Sequence, residues 1–151
     1  MAGTILDMHL HTTAGIAVSM LRCGLLPLSQ HAMRFHRNIA YHHYEGVALD
    51  SAEEKRLVAD LGSHKAMILH NHGVLTCGVT IAEAYVLMAT LEKACVTQLA
   101  AMAASDELLV PPASVLDLAV SQLIDETTPE GELEWPSLLR SVERDDPGFA
   151  T

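Results

Sequence analysis

Apolar and polar positions alternate along residues 4–11, TILDMHLH, and this predicts a short strand that begins almost at the first residue. Residues 12–24, TTAGIAVSMLRCG, read as a helix from a Thr cap to Gly24 as its stop. Residues 25–38 form a loop with one or two helical turns after Ser29, and IAYHHY, residues 39–44, is rich in strand formers. SAEEKRLVADLG, residues 51–62, opens with the capping-box spacing Ser51 to Glu54 and closes at Gly62. AMILHNHG, residues 66–73, is an apolar strand that runs into a turn, and VLTCG, residues 74–78, is its expected antiparallel neighbour.

The strongest periodicity lies in residues 80–104. Thr80 and Glu83 have capping-box spacing, and Ile81, Ala84, Met88, Leu91, Cys95, Leu99 and Met102 recur every three or four residues as one apolar stripe. Beyond Asp106 a helix is predicted within residues 110–126, behind Pro111 and Pro112, and a last short helix within 134–151, with a polar tail. Strands alternating with helices predict an α/β layered domain, and the tight step at Gly73 adds antiparallel pairing.

Composition narrows the function classes. Half of the 151 residues are hydrophobic and 19% are charged, which is a globular composition with enough chain for one core. Nine Lys+Arg against nineteen Asp+Glu give a net charge of -10, so neither nucleic acid nor an anionic membrane is an expected partner. No uninterrupted apolar run approaches the roughly 18 residues of a membrane span. The opening MAGTILDMHL has no basic and apolar leader pattern. Cys23, Cys77 and Cys95 are odd in number and far apart, which predicts buried, inert thiols, a reducing compartment and a cytoplasmic location.

The candidate chemistry lies in nine histidines. On a strand, residues i and i+2 share a face, so His9 and His11 present two imidazoles together with Leu10 turned away. Such a pair is two-thirds of a catalytic zinc site, which takes three protein ligands and keeps one position open. HNHG supplies a second pair, His70 and His72, where a strand meets a glycine turn, and spacing alone does not choose between them. A bland alternative makes this stretch a plain turn, with Asn71 and Gly73 there for backbone conformation. His42 and His43, adjacent on a strand, point to opposite faces and are expected at a sheet edge or core rim. His36 and His64 are expected in solvent-exposed loops, and Glu53, Glu54, Glu83 and Glu92 in cap or surface roles.

The stretches MHLHT, CGLLPLSQHAMRF, IAYHHYEG, LHNHGVLTCG and TIAEAYVLMATLEKAC, in that order, resemble the class II aldolase/adducin family. The resemblance covers residues 1–104 as a domain of that type, leaves 105–151 as a C-terminal helical extension, and extends to the ending WPSLLRSVERDDP. It implies a three-layer α/β/α domain with a mixed, largely antiparallel central sheet. It also implies a divalent metal, usually zinc, on His9, His11 and His72, with His70 at a position where many members carry Arg or Lys.

In complete family members the H-x-H pair follows a long segment that carries substrate loops and a Glu acid/base. Only eight residues precede His9 and none is Glu, so the resemblance implies an N-terminally truncated domain with Asp7 as the nearby candidate carboxylate. His31 falls loosely near a Tyr that several family enzymes use across a subunit boundary. Family membership implies a lyase or epimerase acting on a small hydroxy-carbonyl substrate, impaired by the truncation, and a homo-oligomer, commonly a tetramer. The alternative is an adducin-like interaction or scaffold module without chemistry, which CGLLPLSQHAM and IAYHHYEG resemble more than they do the sugar-phosphate aldolases.

Overall fold

In the computed structural model, residues 6–46, 51–124 and 127–149 are described, Ser51 and Ala52 by their backbone alone. Four strands, β1 (Leu6–Leu10), β2 (Ala40–His42), β3 (Ala66–Leu69) and β4 (Gly73–Gly78), form one sheet in the order β1-β4-β3-β2. Pairs β1/β4 and β3/β4 are antiparallel and β2/β3 is parallel. The sheet is therefore mixed and largely antiparallel, as expected. Two reversals make β1 and β3 co-directional, so β1, β2 and β3 all end at one edge of the sheet.

Period-two alternation decides which side chains meet which layer. Ala66, Ile68 and Val74 face helices α1 (Thr13–Ser19), α2 (Gln30–Met33) and α4 (Ile81–Ala104), where Val18, Phe35, Leu87, Met88, Leu91 and Cys95 complete a buried cluster. Met67, Leu69, Leu75 and Cys77 face the other way, toward Leu57 and Leu61 of α3 (Ser51–Leu61). Helices thus cover both faces of the sheet in three layers. Each fully buried aliphatic side chain contributes about 1.5–3 kcal/mol by leaving water, and Met67, Ile68, Val74 and Leu91 are all at 0% exposure. Helix α5 (Ala113–Leu123) leans on the α2 end through Arg37 and Asp117, and α6 (Trp135–Asp145) sets Trp135 edge-on against Tyr85.

Helix α4 is long and apolar enough, by length and composition, to cross a membrane. A core helix has the same properties, and here the stripe through Leu87, Met88, Leu91 and Cys95 is buried against the sheet. Ile81 is 57% exposed, and the buried position at the far end of the stripe is Gln98 rather than Leu99.

Gln98 explains a second difference. The helix expected over 12–24 stops at Ser19, because the following chain is held in a loop: Gln98 Nε2 donates to the Gly24 carbonyl, and the Leu26 N–H donates to Gln98 Oε1. Strand 39–44 is likewise cut to three residues at the sheet edge. The Ser51–Glu54 capping box lies outside the described side chains.

Half of the second capping box forms, with Thr80 Oγ1 accepting the Glu83 N–H. Glu83 is not a surface residue: it is 1% exposed, takes the Val79 N–H and binds Lys65 Nζ at 2.5 Å. Among the cysteines, Cys77 and Cys95 are buried, but Cys23 is exposed, contrary to expectation. Burial raises the Cys77 thiol and pushes Cys95 up to about 12, helped by the neighbouring Glu92. Both are inert at neutral pH.

Candidate metal centre

The edge where β1, β2 and β3 end gathers the histidines. Residue His9 sits on β1 opposite Leu75, His11 lies one residue beyond the strand, and His72 stands in the turn between β3 and β4. Asn71 adopts φ 55, a left-handed conformation that Asn tolerates, which lets the turn close in three residues. The choice that spacing left open is decided by this turn: His72 joins His9 and His11, while His70 points to the α1 side, where its Nδ1 meets the Ser19 carbonyl at 3.1 Å.

The three rings are packed with centroids 4.6, 4.8 and 4.7 Å apart. One potential ligand nitrogen from each lies within 4.8 Å of the others, and His9 Nε2 and His11 Nε2 are 2.8 Å apart. The His9 Nδ1–H donates to the Val74 carbonyl at 3.0 Å, leaving the Nε2 lone pair for the cluster. Metal-binding histidines are oriented in this way by their second ring nitrogen. Burial lowers His9 below its ordinary 6.5, with His11 adding to the effect. Burial also lowers His72, reinforced by His9 and His11 and opposed by the Glu53 carboxylate. Both rings are therefore held neutral, the form that binds metal. Three imidazoles converging from two chain segments fit a divalent ion of the zinc type.

Two supports hold this arrangement. Thr12, directly after His11, caps α1 by accepting the Gly15 N–H and donates its own hydroxyl to Glu92 on α4. Glu92 thus ties the loop of His11 to the core helix. Gly73 is needed for space: a Cβ there would stand 2.5 Å from the Leu10 carbonyl oxygen and 3.0 Å from the His11 ring. The carbonyl belongs to the backbone and cannot swing away. Gly73→Ala is expected to cost about 1–3 kcal/mol by overpacking and to weaken zinc binding at least tenfold. Denaturant melts and zinc titration of the variant check it; wild-type affinity would show that β1 can give way.

The other expected positions separate clearly. Asp7 lies two residues before His9 on the same strand face, exposed, and its charge is felt at His9. His31 is exposed on α2, and among the described residues no contact ties it to the cluster. His42 is 4% exposed under α3, with Nδ1 bound to Asp60 at 2.7 Å and Nε2 4.0 Å from Glu53. His43 stacks on His70. His36 and His64 are half-buried rather than open to solvent, with His36 Nε2 3.7 Å from Asp117. Sequence reasoning missed Tyr44, whose ring meets that of His72 at 6.4 Å, and Glu53, whose charge reaches the cluster from the first turn of α3.

The family model described as the Class II Aldolase and Adducin N-terminal domain matches residues 7–99, from the strand of His9 through most of α4. The chain belongs to the class II aldolase and adducin family. An aldolase II superfamily protein from Pseudomonas syringae superposes with a TM-score of 0.89 at 44% identity, covering 96% of this chain and 59% of that one. L-fuculose 1-phosphate aldolase from Glaciozyma antarctica gives 0.74 at 28% identity, covering 91% of this chain and 51% of that one. Mouse alpha-adducin is 39% identical over 98 residues, 64% of this chain and 13% of that protein. The chain spans 56% of the length of the bacterial class 2 relatives it matches.

Proposed function

We propose that this class II aldolase/adducin chain is a divalent-metal-dependent lyase or epimerase for a small hydroxy-carbonyl substrate, with the ion, zinc first, on His9, His11 and His72. The observation that carries this reading is the convergence of three ring nitrogens within 4.8 Å at the edge where three strands end. A scaffold needs no such convergence. A bound divalent ion supplies Lewis-acid polarisation of a carbonyl and its neighbouring hydroxyl. The residues of the chain do the rest. Val74 and Glu92 hold the ligands in orientation, through His9 and through Thr12. Asp7 and Glu53 are the carboxylates whose charge reaches the histidines, and they are the groups placed to accept or return a substrate proton. Assembly into a homo-oligomer belongs to the same reading, because Ile81 and Val96 on α4, Leu109 in the segment after it, and Val115 and Leu118 on α5 leave apolar surface exposed.

The test is retro-aldol cleavage and epimerisation of phosphorylated and free hydroxy-carbonyl compounds by the zinc-loaded chain. Metal-dependent turnover that His9→Ala abolishes supports the reading. The similarity to alpha-adducin favours the second one, a binding module that retains the fold. A wild-type chain that retains no zinc, with His9→Ala folding and assembling like it, would decide for that alternative.

A further inference from the structure

At the strand ends near the histidine cluster, one buried ring nitrogen has no hydrogen-bond partner. It belongs to His42, the last residue of β2. The His42 Nδ1–H donates to Asp60 at 2.7 Å, while Nε2 is buried and meets neither donor nor acceptor. Buried polar atoms are nearly always satisfied, so an orphaned nitrogen calls for a physical reason. A carboxylate oxygen of Glu53 lies 4.0 Å from it, one short movement beyond hydrogen-bond reach.

Helix α3 supplies both carboxylates. Glu53 and Asp60 stand two helical turns apart on one face and reach the two nitrogens of the same ring. Among the described residues neither pairs with Lys or Arg. The third acidic group that senses His42, Glu45, is taken up by Arg56 in a two-pronged pair. The cation that could answer both α3 carboxylates is therefore a protonated His42.

The two carboxylates differ in what they face. Asp60 is half exposed, whereas Glu53 is mostly buried and its charge is felt at His72. Asp60, His42 and Glu53 thus form a line under α3 that leads from solvent to the histidine cluster.

We propose that His42 stores, at Nε2, the proton that Glu53 takes from a substrate, and hands it back later in the same turnover. A substrate O–H or C–H gives its proton to a Glu53 oxygen, and the electron pair stays with the substrate. The Glu53 O–H then passes that proton to the Nε2 lone pair. Glu53 is again a free base, and the ring is an imidazolium with its Nδ1–H on Asp60. The same two transfers in reverse return the proton, as both aldol cleavage and epimerisation require. His42 and Asp60 touch no reacting atom and are positioning residues. That the proton comes from a hydroxy-carbonyl compound rests on the metal-dependent reading given above.

The probe is glycolohydroxamic acid, a hydroxy-carbonyl analogue that gives up its N–OH proton when it chelates zinc. It is added at neutral pH to the full, zinc-loaded chain. Calorimetry in buffers of unlike ionisation enthalpy reads whether the proton leaves the protein, and nitrogen NMR of the histidine rings shows where a retained proton lies. Wild type is expected to keep the proton, with His42 Nε2 changing from bare to protonated and His31 unchanged. Glu53→Gln and Asp60→Asn preserve side-chain shape and should hold zinc like wild type. Both should nevertheless release the proton to the buffer and leave His42 Nε2 bare. A His42 that merely pins α3 to the sheet would release the proton in all three chains. Release by zinc-loaded wild type, or retention at His42 in Glu53→Gln, would overturn the proton store alone. A wild-type chain that binds no zinc, or binds zinc but not the analogue, would overturn the metal-dependent reading and the store with it.

Discussion

Zinc at a thousandfold excess over its dissociation constant is expected to raise the melting temperature of the chain by about 10 °C. A ligand bound only by the folded state stabilises it by RT ln(1 + [L]/Kd), about 4 kcal/mol at that excess. For a domain of this size each kcal/mol moves the midpoint by about 2–4 °C. The three rings come from β1 with the residue just beyond it and from the β3–β4 turn, so an ion held by them would bridge segments that only the folded sheet brings together. Calorimetric melts with zinc and with a chelator check the shift, and His9→Ala should show little of it. A wild-type midpoint that ignores zinc would contradict the reading.

The second large effect is on pH. His9 and His72 are both held below 6.5 in the folded chain, chiefly by burial. In the unfolded chain each returns to its ordinary value and takes up a proton first as the pH falls. Their contribution to stability is therefore complete above 6.5 and is lost as the pH drops through the depressed folded values. Protons also compete directly with zinc for the ring nitrogens. Zinc occupancy at fixed total metal should fall as the pH drops below 6.5 and through the depressed values of His9 and His72, and the melting-temperature gain should fall with it. A gain that persists undiminished at pH 5 would show that the histidines are not the ligands.

What the sequence made legible follows from the range of the interactions. The strand parity of His9 and His11 is local, and so is the apolar stripe of α4, and both were read correctly in outline. The Thr80 cap is local as well, and it formed. The choice between His70 and His72 was not legible in the spacing, and only the family resemblance pointed to His72. It depends on the left-handed backbone of Asn71 and on a carbonyl of Ser19, 51 residues away from His70. The early stop of α1 was hidden for the same reason, since the loop after it is held by Gln98, 74 residues from Gly24. Glu83 looked like an ordinary capping residue, and only the approach of Lys65 and Val79 shows why it tolerates burial. Glu53 and Tyr44 reach the site across the sheet edge, which no spacing pattern records.

The claim that three histidines form one metal centre is tested most directly by metal analysis of the purified chain after zinc loading and desalting. The account predicts about one zinc per chain in wild type. It predicts little or none in His9→Ala, His11→Ala and His72→Ala, and about one again in His31→Ala and His70→Ala. Equal zinc in wild type and His72→Ala, or loss of zinc in His70→Ala with retention in His72→Ala, would contradict it.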